Sequence, residues 1–154
     1  MALFLSTHHN RIDKKGRVSV PASFRGELAA EAFQGVVLFQ SNTHECLEGF
    51  AYSYMQEIGS RLDQFDMFSA EQDDLATSIF GTAVQLSLDG DGRIVLPKDL
   101  IEFGGFNDQA TFVGLGPKFQ IWASSKFEAR REQARQNVQS QKLTMPKVEK
   151  GEAQ

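Results

Sequence analysis

Five basic side chains, Arg11, Lys14, Lys15, Arg17 and Arg25, stand within one short stretch in which Asp13 is the only acid, a local balance of +4 in a chain whose net charge is -4. Clustered cations of this kind neutralise phosphates and release the counterions condensed on a nucleic acid. An arginine among them can also present a bidentate fork to the O6 and N7 of guanine in the major groove, which a two-stranded ribbon can enter. Asp13 needs a different role, because a carboxylate facing phosphate is repelled. It either pairs with Arg17 or Arg93 and holds the guanidinium in position, or is an ordinary turn aspartate accepting backbone N–H groups. The residue types leave both readings open.

The stretch occurs twice. Asp13-Lys14-Lys15-Gly16-Arg17-Val18-Ser19-Val20-Pro21 returns as Asp89-Gly90-Asp91-Gly92-Arg93-Ile94-Val95-Leu96-Pro97, offset by 76 residues at every matched position. A repeat fixes the architecture before any single residue is interpreted. The copies differ in charge: Lys14-Lys15 becomes Gly90-Asp91, Asp99 lies nearby, and residues 85–100 balance at -1. Arg93 therefore suits structural pairing with an acidic partner, including one across a subunit boundary, at least as well as contact with an anion.

The elements that must position these residues follow from periodicity and punctuation. Thr7 to Asp13 reads as a strand leading to a turn where Gly16 takes a positive φ. Val18-Ser19-Val20 alternates as a half-buried strand does. Pro21 opens a helix over Ala22 to about Ala32, which Gly35 breaks. Val36 to Phe39 is a buried strand, Ser41 to His44 a turn, and Cys46 to Phe50 a second short strand. Ala51 to Phe65 carries Tyr54, Ile58, Leu62 and Phe65 on one helical stripe. Ser69 with Gln72 marks a capped helix start, and Leu75, Ile79 and Ala83 continue the apolar stripe. The second copy begins with strand periodicity from Val84 to Leu88, and Asp89-Gly90-Asp91-Gly92 is a hairpin signal. Ile94 to Leu96 returns, Pro97 opens a helix ending near Gly104-Gly105, and strands follow over Ala110 to Leu115 and Phe119 to Trp122. Ser125 with Glu128 marks a last helix in which Glu128 and Glu132 offset Arg130, Arg131 and Arg135. From Gln139 the polar composition predicts a disordered tail. The organisation expected is a first unit over 7–54, a helical connection over 55–82, a second unit over 83–126, a helix over 127–138 and the tail over 139–154.

Two Asp-x-x-x-Arg motifs in matching strand–turn–strand–Pro–helix frames, separated by helices, resemble the MraZ family of bacterial DNA-binding regulators, built on the swapped-hairpin fold of the AbrB and SpoVT regulators. The resemblance covers roughly residues 1–135. It rests on Asp13, Gly16, Arg17 and Pro21, on Asp89, Gly92, Arg93 and Pro97, and on Lys118-Phe119-Gln120-Ile121-Trp122. It implies an α+β fold in which two tandem swapped-hairpin, β-barrel-like units form an intramolecular pseudo-dimer, with connecting and C-terminal helices. It also implies that chains close into a ring oligomer. That ring would bind direct repeats in double-stranded promoter DNA and repress the cell division and cell wall gene cluster carrying the protein's own gene. By this resemblance Arg17 contacts DNA, Lys14, Lys15 and Arg11 meet phosphates, and Arg93 is the second copy's counterpart. Asp13, Gly16, Pro21, Asp89, Gly92 and Pro97 are the structural positions of the motif.

Other chemistries fit less well. No apolar run approaches the roughly 20 residues of a spanning helix, Met1 to Leu5 lacks the basic start of a signal peptide, and the single Cys46 forms no intrachain disulfide. The expectation is a cytoplasmic, nucleoid-associated protein that is not an enzyme and uses no cofactor, metal or small-molecule substrate. A calcium loop starting at Asp89 fails its template, because Arg93, Ile94 and Leu100 occupy the fifth, sixth and twelfth positions. His8 and His9 face opposite sides of a strand. His44 and Cys46 would share a strand face, but no third group completes a nucleophile, and a lone Cys packs as a small hydrophobe. Phe112, Phe119 and Trp122 read as core. Two rival functions remain: an antitoxin-like regulator on the same fold, and an oligomeric scaffold that binds no DNA.

Overall fold

The computed structural model describes residues 2–148. Of the tail expected from 139, residues 149–154 lie outside the described residues. The first half runs β1 (Thr7–Arg11), β2 (Arg17–Ser19), α1 (Ala22–Leu28), β3 (Gly35–Gln40) and β4 (Leu47–Phe50). Two helices follow, α2 (Tyr52–Leu62) and α3 (Ala70–Ile79). The second half repeats the order as β5 (Val84–Ser87), β6 (Arg93–Val95), α4 (Lys98–Gly104), β7 (Gln109–Gly114) and β8 (Phe119–Ala123), before the last helix α5 (Ser124–Ser140). No helix among the described residues is long and apolar enough to cross a membrane.

The strands pair across the halves. A six-stranded antiparallel sheet has the order β1-β7-β8-β4-β3-β5, and β2 pairs with β6 in a separate two-stranded ribbon. Each half lends its first strand to the other: Thr7 of β1 lies opposite Val113 of β7, and Ser87 of β5 opposite Gly35 of β3. β4 and β8 meet in the middle of the sheet. This is the interleaved pseudo-dimer, held in one compact unit that ends at Ser124, with the remainder of α5 forming a second unit. The hairpin signal at Asp89–Gly92 is corrected by this pairing. It is a tight turn, closed by Asp89 N–H to Arg93 carbonyl at 2.9 Å, but its flanking strands leave for different partners, β5 to β3 and β6 to β2.

The pairing places the core between sheet and ribbon. Val18 and Ile94 point inward from the ribbon at 1% and 0% exposure, and Phe24 from α1 packs its ring against Phe4 at 5.1 Å and Phe119 at 5.3 Å. A smaller cluster of Val37, Phe39, Phe50 and Met55, joined by Tyr54, Ile58 and Ile79, lies under α2 and α3. Period-two alternation along β8 sends Phe119, Ile121 and Ala123 into the main core. Trp122 is buried as expected, at 5% exposure, on the opposite face of β8. Its Nε1 donates to Gln120 Oε1 at 2.9 Å, and Gln120 Nε2 donates to the buried carboxylate of Glu48. Ser41 Oγ at 2.7 Å and Lys118 Nζ at 2.9 Å complete that carboxylate's shell.

Several boundaries differ from the periodicity. α1 ends at Leu28 rather than near Ala32, because Gln34 Nε2 donates to the carbonyls of Leu28, Ala29 and Glu31 and satisfies the end of the helix. Gly35 opens β3 rather than breaking that helix: a Cβ there would lie 2.2 Å from the Leu86 carbonyl oxygen, so the close approach of β5 requires it. Pro21 and Pro97 occupy the position just before their helices. Ser69 caps α3 by accepting the Gln72 N–H at 3.2 Å. Phe65 and Ala83 lie beyond the helices to which their spacing assigned them, and α5 starts at Ser124, with Ser125 inside it.

Candidate nucleic-acid interface

One carboxylate builds the first turn. Asp13 Oδ1 accepts the backbone N–H groups of Lys15 and Arg17, both at 2.9 Å, and Oδ2 accepts Arg17 Nε at 2.6 Å. The two readings of Asp13 are thus realised together, and the arginine it holds is Arg17, not Arg93. Gripping the guanidinium by Nε leaves both Nη groups without a hydrogen bond among the described residues. The Arg17 backbone N–H is the main reason the Asp13 carboxyl sits below the ordinary aspartate range; the Arg17 side chain and the Lys15 N–H add to it, against a cost of desolvation. Gly16 takes φ +83°, and a Cβ on it would stand 2.9 Å from the Leu96 carbonyl oxygen. Lys14 and Lys15 are exposed at the tip, and Arg11 is exposed at the end of β1 opposite Gln109.

The second turn repeats the geometry with one addition. Asp89 Oδ1 accepts the N–H groups of Asp91 at 2.8 Å and Arg93 at 2.9 Å, and Oδ2 accepts Arg93 Nε at 3.1 Å. The Asp89 carboxyl is lowered in the same way, first by the Arg93 backbone N–H. Here Asp91 also takes Arg93 Nη2 at 3.2 Å. Arg93 finds the acidic partner its surroundings suggested, within its own turn.

The ribbon brings the two turns together. Arg17 pairs with Val95, Val18 with Ile94 and Ser19 with Arg93. Two further bonds extend the ladder symmetrically, Val20 N–H to Gly92 carbonyl at 3.0 Å and Leu96 N–H to Gly16 carbonyl at 2.9 Å. With Val18 and Ile94 facing the core, Arg17, Ser19, Arg93 and Val95 share the outer face. Two arginines 76 residues apart therefore lie diagonally on one face of one ribbon. Periodicity predicts each strand but not this juxtaposition. Sequence reasoning also left Arg25 without a role: its Nε donates to the Val20 carbonyl at 3.1 Å, and its side chain lies against Gly92 of the second turn.

The remaining titratable residues are placed elsewhere. His9 Nδ1 bonds Thr111 Oγ1 at 2.8 Å, while the His8 ring meets Phe24 at 5.4 Å, on the opposite side of β1. His44 and Cys46 do not share a strand face, since both precede β4; Cys46 is buried and the His44 ring packs on Trp122 at 5.4 Å. Among the described residues no group of three His, Cys, Asp or Glu side chains could hold a metal ion. What the ribbon and its turns offer is positioned positive charge.

Comparison with known proteins agrees with this duplicated architecture. The family model described as "MraZ protein, putative antitoxin-like" matches residues 3–77 and again 79–147. Proteins named transcriptional regulator MraZ from Rickettsia akari, Rickettsia felis and Rickettsia bellii are each 41% identical to this chain, over 94% of its length and 97% of theirs. With both halves matched and the identity sustained along nearly the whole length, the chain belongs to the MraZ family.

Proposed function

We propose that the chain is a sequence-specific DNA-binding transcriptional regulator that reads double-stranded promoter DNA with its first turn. The observation that carries this reading is the Asp13–Arg17 clamp, which fixes a guanidinium by Nε beside two exposed lysines. An arginine ordered in advance loses less freedom on binding, and its open Nη edge matches guanine O6 and N7, worth about 1–3 kcal/mol of discrimination per base. Lys14, Lys15 and Arg11 meet phosphates. Arg93 contributes less, because Asp89 and Asp91 both hold it. The names of the Rickettsia relatives support regulation as the class of function.

The finer reading is repression of the cell division and cell wall gene cluster that carries the protein's own gene, through direct repeats met by a ring of chains at the nucleoid. One patch of four or five cations binds weakly at physiological salt, whereas several patches on one ring gain roughly 10²–10⁴ through effective concentration. A salt titration of binding to the upstream region of the protein's own operon tests both levels. Wild type should weaken steeply with salt, at about 0.9 in slope per phosphate contact. Arg17→Ala should lose binding while staying folded, and DNA with a single repeat should bind far less than DNA with several. Equal binding by wild type and Arg17→Ala refutes the assignment of the first turn. Equal affinity for one and several repeats refutes the ring account. Binding by neither protein favours the scaffold.

A further inference from the structure

The two halves also differ on the helices that follow their turns. Residue 25 on α1 and residue 101 on α4 are related by the same offset of 76, and each reaches across to the glycine of the other half's turn. Ile101 Cδ1 stands 3.4 Å from where a Cβ on Gly16 would be. Arg25 Cδ, Nε and Nη1 stand 2.6, 2.8 and 2.9 Å from where a Cβ on Gly92 would be. The bare Cα of Gly92 is the seat on which the Arg25 side chain lies. Arg25 is exposed, its Nε is anchored on the Val20 carbonyl, and among the described residues no carboxylate lies within ion-pair distance of it.

We propose that Arg25 is the phosphate-binding cation of the second turn, supplied by the first half of the chain. That turn's own arginine is occupied, since Asp89 and Asp91 both hold Arg93, and the Asp91 side chain is 79% exposed. Folding does not require a charge at this seat, because Ile101 fills the equivalent one. A guanidinium anchored through Nε presents its Nη pair as a planar fork, which matches two phosphate oxygens. Phosphate contact also fits the position, on a helix flanking the ribbon rather than on its outer face. The ribbon then meets DNA unequally: the first turn with Lys14, Lys15 and Arg17, the second with Arg25. The inference rests on the reading that the ribbon faces DNA.

The test replaces Arg25 by the residue of its own counterpart. Wild type, Arg25→Ile and Arg25→Lys are titrated by fluorescence anisotropy against two duplexes of equal length, the upstream region of the protein's own operon and a scrambled sequence, over a range of salt. Arg25→Ile should bind about fivefold more weakly at 0.15 M salt, with a slope shallower by about 0.9, equally on both duplexes. Arg25→Lys should keep most of the slope. An unchanged slope in Arg25→Ile, with wild type binding normally, overturns the role of Arg25 alone. A loss confined to the promoter duplex overturns phosphate contact in favour of base reading. Wild type that binds neither duplex overturns the DNA reading itself and this inference with it. Should Arg25→Ile unfold, Arg25→Gln is judged by the same slopes.

Discussion

Replacing Gly90 and Asp91 by lysine gives the second turn the chemistry of the first, and the structure says how much binding should change. The backbone permits both substitutions: nothing lies within 4 Å of a Cβ built on Gly90, and the Asp91 side chain is 79% exposed. The turn survives because it rests on Asp89 Oδ1 and the main-chain N–H of residue 91, which lysine retains. What disappears is the link from Arg93 Nη2 to Asp91, leaving Arg93 held by Asp89 alone, as Arg17 is held by Asp13. Each new lysine that meets a phosphate adds about 0.9 to the salt slope, about 1.8 for the pair. Raising salt fourfold, from about 50 to about 200 mM, should then weaken the double variant about tenfold more than wild type. Anisotropy titrations at three salt concentrations measure this, with circular dichroism confirming the fold. A folded variant whose slope equals that of wild type refutes the reasoning, for it would mean that placement and not charge keeps residues 90 and 91 from phosphate.

Four further outcomes follow from the same geometry. Asp13→Asn keeps an oxygen for the Lys15 and Arg17 N–H groups but turns an amide toward Arg17 Nε. It should lower the thermal midpoint modestly, through loss of the ionised carboxylate, and weaken DNA binding about two- to tenfold, the cost of ordering a freed arginine; unchanged affinity removes the orienting role. Gly16→Ala places a side chain at φ +83° and 2.9 Å from the Leu96 oxygen, and should cost about 1–2 kcal/mol from the left-handed backbone alone. Gly90→Ala, in open space, should cost far less in the same denaturation series. The depressed Asp13 carboxyl contributes stability that is complete above the ordinary aspartate range and lost as pH falls through its folded value. Its side-chain NMR titration should therefore lie below that of a peptide aspartate, and should stay low in Arg17→Ala because the backbone N–H of residue 17 is the larger cause; an ordinary midpoint refutes this. Phe24→Ala empties the centre of a cluster formed with Phe4, Phe112 and Phe119, and urea unfolding should show a loss of about 3–5 kcal/mol.

The duplicated turn was legible because its requirements are local. Gly16 and Gly92 must take positive φ, Asp13 and Asp89 must accept nearby N–H groups, and the prolines must precede helices, all within nine residues. The pairing of β1 with β7 was not legible from periodicity, which says which face of a strand is buried but not which strand lies beside it. Only the resemblance implied that exchange. Trp122 is buried as its place in a strand suggested, but alternation from Ile121 puts it on the other face, where its Nε1 reaches Gln120, a polar contact that residue type alone does not predict. Gly35 looked like a helix breaker because its neighbour β5 is fifty residues away in sequence. Arg25 was counted as one more charge of the basic cluster, and only the crossing of α1 over the second turn shows which turn it serves.

The exchange of first strands also sets a schedule for the chain's synthesis. β1 is made first, but its partner is β7, and Thr7 pairs with Val113. At about 5–20 residues per second, the N-terminal strand waits roughly 5–20 s before the segment that completes it has been translated. For most of that interval β3 and β4 can already form their hairpin, while β1 and the ribbon strand β2 have none of their named partners; β6 arrives for β2 only shortly before β7. The short length of β2, three residues, and the charges at Arg11, Lys14, Lys15 and Arg17 keep this waiting segment a poor template for another nascent chain. The cations that end at the edge of β1, at the first turn and on the finished ribbon thus protect the emerging chain before that ribbon exists.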